Sequence, residues 1–306
     1  MKEFIEYYAY RTMGAIISVI PFRVLYVFSD ILSLKINYIL CYRKKVITQN
    51  LKNSFPELSE KEIRQLRGKF YKVLGDMFVE ALKSHSSSKG KKWDRFRVTN
   101  PEILDQYYEN QKSCVIMMAH YANWEWIIHG ASFFKHRWCS IYKELRNKRI
   151  NEHLLKLRRN FGMLLYSQAQ TGVMVKNNIK APALFVYISD QNPGSMPDDQ
   201  HWIPFLGRPT ACLPGAEMLA RKFDLPVFYL DVRRVSRGRY DATLVSLETK
   251  SAESSPGQIT EKYMNKLESV IRNKPEFWLW SHKRWKKTPP DHIQQQYLNK
   301  TKINEN

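Results

Sequence analysis

Residues 113–119 form a short apolar run that is followed directly by a histidine, His120. Of all the sequence features, this stretch constrains the possible fold most strongly. Val115 and Ile116 lie at its centre, a pattern typical of a strand buried in a sheet that is covered on both faces. A turn follows His120, and residues 124–134 are predicted to form a helix with a mostly apolar surface. The stretch therefore predicts a strand–turn–helix unit with His120 at the end of the strand.

His120 and Glu125 have the spacing H-x4-E. On one continuous helix they would lie about 140° apart, but a strand–turn–helix lets the chain double back so that the carboxylate meets the imidazole. Such a carboxylate would fix the ring tautomer and leave the other nitrogen as a general base. The alternative is a core histidine with satisfied hydrogen bonds near a surface glutamate, and the spacing alone does not decide between them.

Strand and helix patterns alternate along the rest of the chain. Strands are predicted at residues 139–143, 163–167, 183–189, 226–232 and 240–247. Helices are predicted at residues 59–83, 100–110, 148–160, 210–223 and 260–273. This alternation predicts an α/β fold with a mostly parallel sheet flanked by helices.

The N-terminal residues differ in composition from the rest of the chain. Residues 13–40 are mainly apolar, but Arg23, Asp30 and Lys35 interrupt them, so no run reaches the length of a spanning helix. We interpret the region as a helical hairpin, broken at Pro21, that lies in or dips into a membrane interface. The alternative is an ordinary amphipathic helix pair packed on the domain.

The charge balance is strongly basic. Lys and Arg number 49 against 29 Asp and Glu, which gives a formal net charge of +20 and a pI of about 9.7. Such an excess favours an anionic partner: nucleic acid, a membrane surface, or an acidic protein or phosphorylated substrate. A basic surface that is merely solvated is the alternative. Basic residues 43–45 suit an anionic cytoplasmic leaflet.

The chain is predicted to have three regions. We expect a membrane-associating helical region over 1–45, an α/β domain over 46–290 and a polar tail over 291–306.

Asp190 is a further candidate site residue because it follows a predicted strand, as His120 does. In an open α/β sheet, ligands bind outside the carboxyl ends of the strands, so the two side chains could share one cleft. The sequence D-Q-N-P-G at 190–194 is also good turn chemistry and needs no functional explanation.

Several arginines could bind an anion. Gly207 and Arg208 precede the helix predicted from Thr210, and a Gly–Arg turn that opens a helix can bind phosphate or carboxylate. The basic helix over 148–160 carries Arg158 and Arg159, which form either a phosphate-binding face or a solvated one. Bases mixed with tryptophans at 278–287 suit nucleic-acid stacking, a membrane interface, or a core with a solvated charge run.

Other kinds of chemistry find little support. The four cysteines are widely spaced without a C-x-x-C pair, so neither a zinc site nor a disulfide framework is indicated. The sequence has no G-x-S-x-G, P-loop or G-x-G-x-x-G motif, and no obvious third metal ligand accompanies His120 and Glu125. We therefore expect no metal, no cofactor and no acyl-enzyme intermediate.

Several segments together carry a family resemblance. They are S-F-P-E-L-S-E-K-E at 54–62, the H-x4-E pair, K-L-R-R-N-F-G at 156–162, S-D-Q-N-P at 189–193, I-P-F-L-G-R-P-T at 203–210, and L-E-S-V-I-R-N-K-P-E-F-W-L-W-S-H-K-R-W-K at 267–286. With these segments the chain resembles the lipid A biosynthesis acyltransferases, the lauroyl/myristoyl-type family of the lysophospholipid acyltransferase superfamily. The C-terminal segment is the most specific.

The resemblance implies transfer of a fatty acyl chain from acyl carrier protein to a hydroxyl of a lipid A (lipopolysaccharide) precursor, at the cytoplasmic face of the inner membrane. It implies that His120 deprotonates the hydroxyl and that Glu125 supports His120. Arg158, with Arg159 or Arg208, would bind phosphate. The alternatives are acylation of another membrane lipid, such as a lysophospholipid or aminolipid, and, from another class, a nucleic-acid-binding protein. We expect no nucleic-acid partner.

Overall fold

The computed structural model describes residues 1–85, 94–194 and 201–304. In this part of the chain the α-helices are α1 (Lys2–Val19), α2 (Phe22–Leu34), α3 (Lys44–Ser54), α4 (Glu60–Ser84), α5 (Asp105–Glu109), α6 (Lys148–Asn160), α7 (Thr171–Asn178), α8 (Gly215–Phe223), α9 (Gln258–Asn273) and α10 (Asp291–Asn304). The strands are β1 (Phe96–Val98), β2 (Cys114–Met118), β3 (Arg137–Tyr142), β4 (Met163–Ser167), β5 (Ala183–Ile188), β6 (Trp202–Phe205), β7 (Arg208–Ala211), β8 (Val227–Ser236) and β9 (Arg239–Glu248).

A curled, mostly parallel sheet forms the centre of the molecule. Among the described residues it has seven strands in the order β1-β9-β8-β2-β5-β3-β4. The β8–β9 pair is antiparallel, and the other neighbouring pairs are parallel. Every residue of β2 is buried, as the continuous apolar run predicts for a central strand. The structure therefore confirms the predicted α/β fold with a mostly parallel sheet.

The register of β2 and β5 positions the candidate site. Met118 is paired with Ile188 in this parallel ladder, where the strands run side by side in one direction. His120 lies two residues after Met118, and Asp190 lies two residues after Ile188. The carboxyl ends of adjacent parallel strands lie at the same edge of the sheet. These two residues therefore leave the sheet next to each other, although they are 70 positions apart in the sequence.

The segment after His120 differs from the predicted helix. It forms two short 3₁₀ helices, Trp124–His129 and Ala131–Phe133, rather than one α-helix. Asn123 makes no side-chain cap on the first of them, and its amide nitrogen donates a hydrogen bond to Glu80. Gly130 separates the two and passes so close to Phe96 that a Cβ atom there would lie 3.0 Å from the aromatic ring. These long-range contacts override the local helical pattern.

The helix predicted from Thr210 begins only at Gly215. The residues before it form β6 and β7, an antiparallel hairpin with Leu206 and Gly207 as its two-residue turn. Both have positive φ, 49° and 73°, as a type I′ turn requires. The prediction that Arg208 lies in a turn opening a helix is therefore wrong, because Arg208 is the first residue of β7.

The two N-terminal helices meet at a break at Pro21, and both pack on α4. Leu25 and Tyr26 of α2 are buried in that contact, while the opposite surface exposes a continuous set of apolar side chains. They include Val24, Val27, Phe28, Ile31, Leu34, Tyr38, Ile39 and Leu40. In the described part of the chain no single helix is long and apolar enough to cross a membrane. Phe22–Ile39 and Lys44–Ser54 together meet that test, but with a bend of 90° between them.

A buried carboxylate, Glu80 of α4, joins three other elements. The hydroxyls of Tyr26 and Tyr240 donate to it at 2.7 and 2.8 Å, and the Asn123 amide donates at 2.6 Å. Burial raises the pKa of Glu80, although the three donors oppose that rise. Glu80 thus ties α2, β9 and the turn after His120 to one point on α4.

We expect Glu80→Ala to lower the free energy of unfolding by about 3 kcal/mol or more, because it leaves three buried donors without their acceptor. Glu57 is exposed, and we expect Glu57→Ala to change stability by less than about 0.5 kcal/mol. Urea unfolding of both variants measures the difference. Equal losses in the two would show that the Glu80 cluster contributes nothing specific.

Candidate active site

His120 is held by a buried aspartate. Its Nδ1 lies 2.7 Å from Asp190 Oδ1, and its backbone N–H donates to Asp190 Oδ2 at 3.1 Å. An ionised carboxylate can only accept, so Nδ1 carries the proton in this contact and Nε2 is the unprotonated nitrogen of the neutral ring. The arrangement fixes both the orientation and the tautomer of the imidazole.

The C-terminal segment closes over the same carboxylate. The indole N–H of Trp278 donates to Asp190 Oδ2 at 2.9 Å, and the backbone N–H of Leu279 donates to the carbonyl of His120 at 3.2 Å. Trp278 and Trp280 are buried, so they form part of the core rather than a stacking surface. The sequence pattern did not reveal this contact, because it depends on tertiary structure.

The pKa values of the pair are shifted in opposite directions. Burial lowers the pKa of His120, but the charge and hydrogen bond of Asp190, with a contribution from Glu125, outweigh it and raise the pKa above its ordinary value. Burial raises the pKa of Asp190, but His120 and the Trp278 indole hold it below its usual range. Asp190 is therefore ionised at neutral pH and stabilises the imidazolium form of His120.

Glu125 has a different partner from the one that the spacing predicts. Its Oε2 accepts a hydrogen bond from Arg158 Nη2 at 2.9 Å, while the carboxylate in contact with the imidazole is that of Asp190. Burial raises the pKa of Glu125, but Arg158 outweighs this effect and holds it below the usual range. Glu125 acts on His120 through space, by raising the pKa of the ring. The β2–β5 register explains why Asp190 takes the position at Nδ1.

The three candidate arginines lie in different surroundings. Arg158 of α6 is half-buried against Glu125, and the next residue, Arg159, is exposed. The guanidinium carbon of Arg208 lies 3.4 Å from the ring centroid of Trp285, and burial lowers the pKa of Arg208 to about 10. The structure therefore brings Arg158 into contact with the Glu125 side of the site and gives Arg208 a packing role on Trp285.

The side chain of Gln191 contacts Nε2, the unprotonated nitrogen of the His120 ring. Its side-chain Nε2 lies 3.1 Å from His120 Nε2. With Nδ1 protonated towards Asp190, the amide is the donor and the ring nitrogen the acceptor. Sequence reasoning missed Gln191, because a glutamine in a turn gives no chemical signal of its own.

A cavity of about 320 Å³ lies beside Glu125. Its apolar wall includes three residues of α4 at helical spacing, Leu74, Met77 and Phe78, together with Trp124, whose indole packs edge-on against the His120 ring. Its remaining lining residues are Tyr42, Arg43, Leu279, Ser281 and His282. The size and apolar character suit the hydrocarbon part of a ligand.

A buried carboxylate that orients a histidine at a strand end is an arrangement typical of α/β enzymes that use a general base. The chain belongs to the bacterial lipid A biosynthesis acyltransferase family, whose model matches residues 1–287. It is therefore an acyltransferase, and the family implies a lipid A precursor as substrate. The family resemblance inferred from the sequence is thereby confirmed. A comparison with curated proteins found no match.

Replacing each carboxylate by its amide tests which one supports His120. We expect Asp190→Asn to lower the pKa of His120 below its ordinary value. Burial lowers this pKa, and the variant lacks the negative charge of Asp190 that raises it. Glu125→Gln should lower it less, since Glu125 acts only through space. Titration of the imidazole by NMR with ¹³C-labelled histidine measures both shifts. A larger fall in Glu125→Gln than in Asp190→Asn would contradict the assignment.

Proposed function

We propose that this enzyme transfers a fatty acyl chain from an acyl carrier protein thioester to a hydroxyl of a lipid A precursor, with His120 as general base. The proposal rests above all on the 2.7 Å contact between His120 Nδ1 and Asp190 Oδ1, which leaves Nε2 to accept a proton. Membership of the lipid A acyltransferase family supplies the acceptor class.

In the proposed reaction the acceptor hydroxyl gives its proton to His120 Nε2, and its oxygen attacks the thioester carbonyl. The C–S bond then breaks, and the imidazolium returns the proton to the departing thiolate. Asp190 stabilises the imidazolium in between. Direct transfer is supported by two of the four thiols, because burial raises the pKa of Cys114 and Cys139 to about 12 and so disfavours their thiolate forms.

Arg158 is proposed to bind a phosphate of the acceptor. Its Nη2 is held by Glu125, which lines the cavity, and the Arg158 side chain is 24% exposed. Charge-assisted hydrogen bonds from such a fork suit a phosphate. Arg159, exposed on the same helix, extends the positive surface, and Arg208 contributes charge further away.

The apolar cavity beside Glu125 is proposed to hold an acyl chain. Trp124 connects it to His120, so a chain lying along Met77 and Phe78 would bring its polar end towards the base. Phe78 is 48% exposed, which gives the cavity wall an apolar outer edge through which a lipid chain could enter.

The basic surface supports an acidic carrier protein as donor. Helix α6 exposes Lys148, Arg149, Lys156 and Arg159, and the whole chain has a net charge of +20. Complementary charge increases the association rate of such a complex and makes it sensitive to salt.

Attachment to the cytoplasmic face of the inner membrane is proposed from the exposed apolar side of α2 and the residues after it. Large apolar patches on a protein surface mark interaction sites, and a helix with one apolar face can lie in a membrane interface. The basic residues 43–45 follow this patch and suit anionic head groups.

Deleting the gene in its host should yield lipid A that is lighter by one acyl chain. The purified wild-type enzyme with an acyl carrier protein thioester should restore that chain, as read by mass spectrometry. We expect His120→Ala to lower turnover by about 10²–10⁴-fold. His292→Ala, at an exposed position of α10, is the matched control and should retain wild-type turnover.

Two outcomes would contradict this proposal. Near wild-type turnover in folded His120→Ala would remove the proposed base. Unchanged lipid A in the deletion strain, with the loss of an acyl chain from another lipid class, would leave the acyl transfer but assign a different acceptor.

Arg158→Ala should raise the KM for the phosphorylated acceptor more than it lowers thermal stability.

The exposed face of α2 gives a test of membrane attachment. The wild-type protein should stay in the membrane fraction at high salt, because apolar insertion is not screened by ions. We expect the triple variant Val27→Ser, Phe28→Ser, Ile31→Ser to be released. The control replaces Val173, Met218 and Val235, exposed apolar residues elsewhere in the domain, with serine and should remain bound. Release of the wild-type protein by salt alone would contradict apolar attachment.

A further inference from the structure

The amide of Gln191 lies where a substrate hydroxyl would have to bind. A general base must be within about 2.6–3.2 Å of the oxygen that it deprotonates, and the Gln191 amide nitrogen lies 3.1 Å from His120 Nε2. The hydroxyl and the amide cannot both occupy this position. The Gln191 side chain must therefore move aside when the acceptor binds.

The backbone next to Gln191 is fixed, so the motion is confined to the side chain. Before it, Asp190 is held by His120 and Trp278. After it, the Asn192 backbone N–H donates to His282 Nε2 at 3.1 Å, and the Asn192 amide donates to the carbonyl of Arg284 at 3.1 Å. The half-exposed Gln191 side chain can rotate about its own bonds, and its amide stays within a few ångströms of Nε2.

The reaction needs a hydrogen-bond donor at this point, because attack on the thioester turns the carbonyl oxygen into an oxyanion. The carboxylates of Asp190 and Glu125 cannot donate, and the part of the Arg158 guanidinium that Glu125 does not hold is already assigned to the acceptor phosphate. Among the described residues with a hydrogen bond to His120 Nε2, Gln191 alone brings a neutral N–H group.

We propose that Gln191 is a second catalytic residue, which caps His120 Nε2 in the free enzyme and stabilises the oxyanion once the acceptor has displaced it. This inference rests on the proposed acyl transfer. As the hydroxyl proton moves to Nε2 and the new C–O bond forms, the Gln191 N–H group donates to the carbonyl oxygen. When the C–S bond breaks, the carbonyl re-forms and the imidazolium protonates the thiolate.

Gln191→Met tests the role, since methionine has a similar length and lacks the donor. We expect kcat to fall about 10²-fold or more, with KM for the thioester changed by less than about twofold. A hydrogen bond donated to the neutral ring favours that ring, so its loss should raise the pKa of His120. The acid limb of the pH profile of kcat/KM should therefore move to higher pH. A purely structural role would not shift this limb.

Two further variants complete the test. Gln191→Glu keeps the length but cannot donate when ionised, so we expect the same loss in kcat and a still higher acid limb. Gln106→Met, at an exposed position of α5, is the matched control and should behave as wild type. If Gln191→Met destabilises the protein, the nearly isosteric Gln191→Glu variant decides the question.

The failure of this inference differs from failure of the proposed function. If His120→Ala is inactive while Gln191→Met and Gln191→Glu keep a kcat within about threefold of wild type, the base stands and the role of Gln191 is overturned. A rise in kcat/KM in Gln191→Met would show that the amide only blocks the site. If His120→Ala retains turnover, the acyl transfer through His120 fails first.

Discussion

The structure depends above all on the burial of the Asp190 carboxylate, which is 2% exposed. A buried ion is costly unless each oxygen has a partner, and Asp190 has three: the His120 ring, the His120 backbone and the Trp278 indole. These partners come from β2 and from the C-terminal segment, while Asp190 itself follows β5. One carboxylate therefore fixes the His120 imidazole, joins two central strand ends and holds the C-terminal segment over the candidate site.

A second buried carboxylate, Glu80, connects the site with the N-terminal helices. It accepts from Tyr26 of α2 and from Asn123, three residues after His120. The opposite face of α2 carries the exposed apolar side chains. The surface proposed to meet the membrane and the turn that follows the base are thus hydrogen-bonded to the same side chain. In the proposed function, this fixes the depth of the base relative to the lipid surface.

Local sequence signals predicted the regular elements well and the site only in part. The apolar run over β2 and the pattern that predicts a helix at residues 59–83, observed as α4, depend on neighbouring residues alone. The spacing of His120 and Glu125 suggested a direct pair, but Asp190 reaches the ring because of strand register, which no short motif encodes. The hairpin turn at Leu206 was missed because a leucine with positive φ is unusual.

The two carboxylates near His120 have different charged partners. The H-x4-E spacing therefore has a physical meaning other than a direct contact between His120 and Glu125. Asp190 neutralises the charge that forms on the imidazole, whereas Glu125 neutralises Arg158 in the free enzyme. Glu125 raises the pKa of the His120 ring, and Arg158 in turn holds the pKa of Glu125 below its usual range, so Glu125 stays ionised at neutral pH. In the proposed reaction, the incoming phosphate shares Arg158 with Glu125, so the positive charge of the guanidinium stays compensated. The five-residue spacing keeps His120, the proposed proton acceptor, within electrostatic reach of Glu125, which already balances the charge of the proposed anion-binding arginine.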